Sequence, residues 1–288
     1  MVGCNRQTSR SSTIFPKEDS VVISNASTKL QIVMASTDLN VGENRIAFGI
    51  INPSSGVLRN AEVEMSTFYL ENSGSQIPKQ NVSATFQKWP VGAGGVYTAQ
   101  LIFDNPGYWG LHLLVTEQES VTQNSSIKIL VKERSDSPMI GSPAPRSVNK
   151  TFPDVNSLSK LTTDTNPDPE LYSMTISESI DTGQPLLVVF STPAYCLTST
   201  CGTQLDVVKK IKEQYGNGMN FIHIEIYDNL VEIRGDFSKA RQSPVFTEWN
   251  LKTEPWTFIV DRKGMIFAKF EGYVTSEELT DVITEVLR

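Results

Sequence analysis

Histidine and cysteine are scarce in this chain of 288 residues, which has His112 and His223 as its two histidines and Cys4, Cys196 and Cys201 as its three cysteines. Neither histidine falls in a cluster of ligating residues, so no metal and no other cofactor is expected. Three cysteines allow one pair and leave one odd thiol. Basic residues are in deficit too, with 25 Lys and Arg against 32 Asp and Glu and a net charge of -7. That balance argues against nucleic acid or an anionic membrane surface as a partner, because both are polyanions gripped mainly by Lys and Arg. No apolar run approaches the ~18 residues that a membrane span needs. No leader of the usual form is visible, since the sequence reads Met1-Val2-Gly3-Cys4-Asn5 and then turns polar. The length is that of about two domains at roughly 100–200 residues each.

Residues 29–133 have the pattern of an all-β domain. Apolar or alternating runs occur at Leu30–Met34, Arg45–Ile51, Ala61–Met65, Val82–Phe86, Tyr97–Phe103, Trp109–Val115 and Ile127–Val131. Turn residues separate them: Asn52-Pro53, Ser73-Gly74, Gly92 to Gly95 and Asn105-Pro106-Gly107. Seven short strands predict an immunoglobulin-like β-sandwich over 21–133, without an inter-sheet disulfide because the segment holds no cysteine. The string Gly95 to Gly110, with Pro106-Gly107-Tyr108-Trp109, resembles the end of YtkA-like and CopC-like sandwich domains. CopC-like domains bind copper through histidine, sometimes with methionine. Here His112 stands among Leu111, Leu113 and Leu114, the pattern of a packed or surface strand position, so a binding or spacer module is expected. Ahead of it, Gly3-Cys4-Asn5 and the Ser/Thr-rich stretch to Ser20 resemble the start of a mature bacterial lipoprotein. That resemblance implies lipidation at Cys4, a flexible tether over 1–20, and an extracytoplasmic protein held to the membrane by its lipid.

Between 134 and 170 the composition shifts. Six of the fifteen prolines lie there, Pro138, Pro143, Pro145, Pro153, Pro167 and Pro169, among Ser, Thr, Asn and Asp. A segment so poor in apolar residues reads as an extended linker, its second half lying against the C-terminal domain. Leu171–Ile180 is apolar enough to pack, as a short strand or turn leading into a helix.

Residues 171–288 alternate strand and helix signals. Leu186–Phe190 is a run buried on both faces of a sheet. It stops at Ser191-Thr192-Pro193, Cys196 and Cys201 come next, and Leu205, Val208, Ile211 and Tyr215 recur at helical spacing. Strand, loop, cysteine and helix in that order predict Cys196 at a helix N-terminus, where free amides favour a thiolate. A second thiol close behind can attack a mixed disulfide formed at the first. Met219–Tyr227 is a further strand and a polar helical stretch runs to Trp249. Trp256–Val260 and Met265–Phe270 form a hairpin about Asp261–Gly264, and Thr275 with Glu278 caps a final amphipathic helix. This order resembles the thioredoxin-like superfamily, an α/β fold with a mixed sheet and helices on both faces. The resemblance implies that Pro255 is a cis proline facing the active cysteine. It also implies that Tyr195, Pro193 and Trp256 shape the surface on which a substrate protein docks.

The leading expectation is therefore an extracytoplasmic thiol–disulfide oxidoreductase acting on protein thiols or disulfides, with Cys196 as nucleophile and Cys201 as resolving residue. Three alternatives stay open. A peroxiredoxin-like peroxidase is suggested by Thr192-Pro193-Ala194-Tyr195-Cys196, although the threonine is one residue too far from the cysteine and Pro255-Trp256 occupies the place where that family commonly has an arginine. A Sco-like copper chaperone would need a histidine, and His223 lies mid-strand between Ile222 and Ile224 as a core histidine does. The pair could also be a fixed bridge in a non-catalytic binding module. Thioredoxins carry a buried aspartate on the strand before the motif, and Leu187–Phe190 has no acid. Glu225 and Glu254 are the substitutes within reach but read as surface or edge charges, so slow or partner-specific exchange is expected.

Overall fold

The computed structural model describes residues 30–71, 77–90, 92, 94–117, 122–196, 200–233 and 235–288. The predicted tether and Cys4 lie outside them. Among the described residues no helix is long and apolar enough to cross a membrane.

The N-terminal domain holds eight strands: β1 (Gln31–Met34), β2 (Gly42–Asn52), β3 (Gly56–Val57), β4 (Glu62–Tyr69), β5 (Gln80–Lys88), β6 (Gly95–Phe103), β7 (Gly107–Thr116) and β8 (Thr122–Val131). Seven coincide with the runs read from sequence, and β3 is a two-residue addition pairing with β2. The hydrogen-bonded order is β1-β2-β6-β5-β4-β7-β8. It divides into β1-β2-β6-β5 and β4-β7-β8, the strand order of an immunoglobulin constant-type sandwich. β5 joins the halves: Gln80 to Ala84 pair with β4, and Thr85 to Lys88 pair with β6. Period-2 alternation aims Ile46, Phe48 and Ile50 of β2 and Trp109, Leu111, Leu113 and Val115 of β7 into one core. The chain crosses between sheets at Asp104–Gly107, where Gly107 takes φ 122°, a conformation that suits glycine. Trp109 follows at once, fully buried, its ring 5.0 Å from Phe103 and 5.2 Å from Tyr69 and its indole N–H donated to the Asn105 carbonyl.

Residues 134–170 follow an ordered path along the second domain. Gly141 to Ala144 exchange backbone hydrogen bonds with Gly264 and Ile266, which covers an open sheet edge. Ser147 accepts the Trp249 indole N–H and donates to Glu248, and the Asn149 side chain accepts the Ile176 amide. Polar side chains fasten this segment where apolar ones are few, which is why composition alone pointed to a looser path. It contains α1 (Phe152–Val155).

The second domain continues with α2 (Ile176–Asp181), β9 (Leu186–Phe190), α3 (Thr200–Tyr215), β10 (Asn220–Ile224), α4 (Leu230–Ile233), α5 (Pro244–Glu248), β11 (Trp256–Val260), β12 (Ile266–Glu271) and α6 (Ser276–Val286). Its sheet has the order β10-β9-β11-β12, with β9 parallel to β10 and antiparallel to β11. Leu187 and Val189 of β9 face α3 and α6 through Leu205, Val208, Leu279 and Ile283. Leu186, Val188 and Phe190 face the other layer, built on Phe246, Trp249 and Phe258. Thr275 and Glu278 form the capping box that opens α6. The stretch before Trp249, expected as one helix, is two short helices and a 3-10 turn, since Pro244 can only begin a helix.

The two domains touch through polar contacts on the outer side of β2 and beside β1. Arg45 donates to both carboxylate oxygens of Glu278 and to the Tyr273 carbonyl. Trp89 at the end of β5 packs against the core that includes α3 and α6.

Replacing Trp109 by alanine removes the largest side chain of the sandwich core and should lower that domain's stability by about 3–5 kcal/mol. Chemical denaturation of the full chain measures this, and a midpoint equal to that of the parent protein would show that the indole is not a core element.

Candidate redox site

β9 ends at Phe190, opposite Trp256 in the β9/β11 register. The next residues of each chain segment, Ser191-Thr192 after β9 and Glu254-Pro255 before β11, therefore face each other at the same end of the sheet. The Glu254–Pro255 peptide bond is cis. Beyond Thr192 the chain turns, with the Cys196 amide donating to the Thr192 carbonyl at 3.0 Å. Cys196 and Cys201 are joined in a disulfide, their Cα atoms 6.0 Å apart. α3 is described from Thr200 and carries Cys201 as its second described residue, while Cys196 precedes it across 197–199, which lie outside the described residues. Cys196 is partly exposed and Cys201 is fully buried.

Two carboxyl groups expected as surface or edge charges are drawn in instead: Glu225 is buried and Glu254 half-buried. The Glu254 carboxyl has an oxygen within 4.8 Å of both sulfurs, and its Oε2 accepts the Thr192 amide at 2.8 Å. Burial pushes Glu254 up to about 7, against the pull of the Thr192 amide and side chain. Glu225, just past β10 and 6% exposed, accepts the Thr163 amide at 2.8 Å and the Thr163 hydroxyl. Burial pushes it up to about 8, outweighing those hydrogen bonds, and the neighbouring Glu254 adds to the rise. The Thr192 hydroxyl stands close enough to both carboxyls to lower them, although its geometry falls short of a well-aligned hydrogen bond to either. Thr163 also accepts the Ala194 amide, so the proline-rich segment reaches the loop that carries Cys196. The sequence signal for Glu254 was its place before Pro255. A strand entry facing another strand's end points its side chain inward, which spacing alone did not reveal.

His223 is a core histidine, as its place between two isoleucines predicts. Nε2 lies 3.0 Å from the Ser191 carbonyl, which can only accept, so the ring donates there and Nδ1 accepts from the Tyr172 hydroxyl at 2.7 Å. Burial brings it down to about 4, so it stays neutral at physiological pH. Both nitrogens are engaged and neither is offered to a metal. His112 pairs with Ser66 and Ser126 inside β7, an ordinary strand position. Cys196, Cys201 and Glu254 could offer two sulfurs and an oxygen to one ion, but in the disulfide form the sulfurs are bonded to each other. Pro193 and Tyr195 are partly exposed beside Cys196, and Tyr195 meets Phe237 edge-on at 5.3 Å. Trp256 departs from expectation. It is 2% exposed, stacks on Phe258 and donates its indole N–H to Thr253, so it braces the fold and presents no surface to a substrate.

The raised carboxyls carry a stability signature. For Glu225 the native state holds a proton up to about 8, whereas the unfolded chain releases it near 4.5. Across that window the native state binds more protons, so stability falls as pH rises. Glu225→Gln removes this loss. Its denaturation midpoint relative to the parent should climb between pH 5 and pH 8.5, and a constant difference across that range would mean that Glu225 is ionised in the fold.

A family model described as a thioredoxin-like domain matches residues 172–287. No curated protein matches the chain. Among solved structures, a thiol:disulfide interchange protein of the thioredoxin family from Chlorobium tepidum TLS is 14% identical, with 53% of this chain and 100% of that one covered and a TM-score of 0.36. The MTB protein dsbF is 18% identical over 39% of this chain and 87% of its own, with a TM-score of 0.31. A thio-disulfide isomerase from Thermus thermophilus is 22% identical over 35% and 78%, with a TM-score of 0.27. By the family match and the fold, residues 172–287 are a thioredoxin-like domain, joined behind an N-terminal β-sandwich of immunoglobulin-like strand order.

Proposed function

We propose that the chain is a thiol–disulfide oxidoreductase that exchanges its Cys196–Cys201 bridge with protein thiols and disulfides. One observation carries the reading: a partly exposed sulfur, a buried sulfur and a protonatable carboxyl are gathered at one point. In the reducing direction the Cys196 thiolate attacks a client disulfide, forms a Cys196–client bond and releases one client thiolate. The Cys201 thiol then passes its proton to the Glu254 carboxylate and attacks Cys196 Sγ. The bridge closes and the second client sulfur leaves. Two electrons pass from the protein dithiol to the client, and the reverse steps oxidise a client dithiol. In that reverse direction neutral Glu254 returns the proton to the departing Cys201 sulfur. A carboxyl that titrates near 7 suits both transfers. Glu254 thus takes the part expected of a buried acid on the preceding strand, which removes the ground for expecting slow exchange. The group beside the sulfurs is an acid, whereas a peroxidatic site holds its peroxide with a cation, and this favours the disulfide reading. Pro193 and Tyr195 form the client-facing rim.

Cys201→Ser should accumulate a mixed disulfide through Cys196 when the reduced protein meets a disulfide-bonded client, and Cys196→Ser should accumulate little. Alkylation with mass mapping reads this. Faster alkylation of Cys201 than of Cys196, or a bridge that resists mild reductant in the folded protein, would reverse the roles or make the bridge structural.

The same proposal places the protein outside the cytoplasm, attached by lipid at Cys4. The support is the resemblance of Gly3-Cys4-Asn5 to a processed lipoprotein start. Expressed as its natural precursor, the parent protein should partition with membranes and Cys4→Ser should be soluble. Equal partitioning of the two would overturn the attachment.

A further inference from the structure

Glu271 ends β12 and is 8% exposed. Its carboxylate accepts four hydrogen bonds, and they come from both domains. Oε2 takes the backbone amides of Thr37 and Asp38 at 2.7 and 3.0 Å, from the segment between β1 and β2 of the sandwich. Oε1 takes the Thr37 hydroxyl at 2.7 Å and the Thr253 hydroxyl at 2.6 Å. A carboxylate has about four lone-pair positions, so this one is filled. Thr253 is locked from its other side, because its oxygen accepts the Trp256 indole N–H at 3.0 Å. The residue after Thr253 is Glu254, which holds the Thr192 amide and stands at the disulfide. One unbroken set of hydrogen bonds thus runs from the sandwich through Glu271 and Thr253 to the backbone that carries Glu254.

We propose that Glu271 is a positioning residue that fastens the sandwich to the loop before β11 and so holds the Glu254 carboxyl at the sulfurs. The sandwich then serves as a structural part of the redox site as well as a neighbour to it. The physical reason lies in the backbone amides of Thr37 and Asp38. They are fixed in space by the sandwich and point at one carboxylate, so they set where Glu271 lies. Glu271 in turn sets the Thr253 hydroxyl. Without the sandwich the carboxylate keeps only its bond from Thr253 and is free to turn toward water, and Thr253 loses its fixed acceptor. A displacement of about 1 Å at a proton-transferring group can cost on the order of 10²-fold in rate. The inference rests on the reading of Glu254 as the proton-exchanging group.

The test uses the full-length oxidised protein and dithiothreitol, with thiol release followed from pH 5 to 9 and each rate divided by the reagent's thiolate fraction. In the parent protein the normalised rate should fall as Glu254 loses its proton near 7. Glu254→Gln should abolish that fall. Glu271→Gln should lower the rate on the acid side by up to about 10²-fold and flatten the profile, and should add no further loss when combined with Glu254→Gln. Thr37→Val, which removes only the sandwich hydroxyl, should shift the profile in the same direction by less and keeps the test alive if Glu271→Gln does not fold. Arg45→Ala breaks the separate Glu278 contact of the same interface and should leave the profile as it was. The proposal is overturned if Glu271→Gln and Thr37→Val keep the parent profile, if the Glu271→Gln loss is equally large without Glu254, or if Arg45→Ala shifts the profile as much as Thr37→Val. If Glu254→Gln itself keeps the parent profile, the underlying reading of Glu254 has failed. If Glu254→Gln flattens the profile and Glu271→Gln does not, only the positioning role is lost.

Discussion

The second domain depends on the complete burial of β9. Five consecutive apolar side chains, Leu186 to Phe190, have no exposure at all, so both faces of the strand must be covered and both of its edges paired. That requirement places α3 and α6 on one side and the Phe246–Trp249 layer on the other. It also leaves chemistry only at the strand's end. There the backbone emerges at Ser191 and Thr192, and its polar groups are met from neighbouring strands: the Ile224 carbonyl accepts the Ser191 amide and Glu254 accepts the Thr192 amide. The disulfide, the two raised carboxyls and the cis peptide bond all gather at that end.

Burial raises the two carboxyls, and hydrogen bonds limit the rise. Glu254 and Glu225 each accept one backbone amide, so neither lacks a partner, yet among the described residues neither faces a cation that would hold it charged. A carboxyl in that condition keeps its proton into the neutral range and exchanges it there. The neutral, doubly hydrogen-bonded His223 fits the same environment, since burial favours the uncharged form of His223 as it does of Glu225 and Glu254.

The sandwich and the proline-rich segment both take part in the second domain's structure. Thr163 reaches Glu225 and the Ala194 amide, Gly141 to Ala144 cover the β12 edge, and Glu271 receives the backbone of the sandwich. Prolines assist this arrangement, because a chain already restricted in φ loses less freedom when it is held extended.

Periodicity alone determined most of the fold. The seven strands of the sandwich, the doubly buried β9, the α6 capping box and the strand, cysteine loop, helix order are local patterns of side-chain size and polarity, and short-range geometry converts them directly into elements. The cysteine pair and the proline before β11 were legible for the same reason, as residue types with few structural alternatives. What only tertiary structure decided was the environment of polar residues. Glu254 and Glu225 look like any surface acids in sequence, Trp256 looks like an exposed aromatic beside a site, and Thr37, Thr163, Thr253 and Glu271 carry no pattern at all. Their burial and partners come from segments that lie far apart along the chain, such as Thr37 and Glu271, separated by 234 residues. A one-dimensional period registers which face of an element is apolar. It does not register which distant segments the fold packs over a carboxyl, and that burial, limited by the amide each accepts, is what raises Glu225 and Glu254.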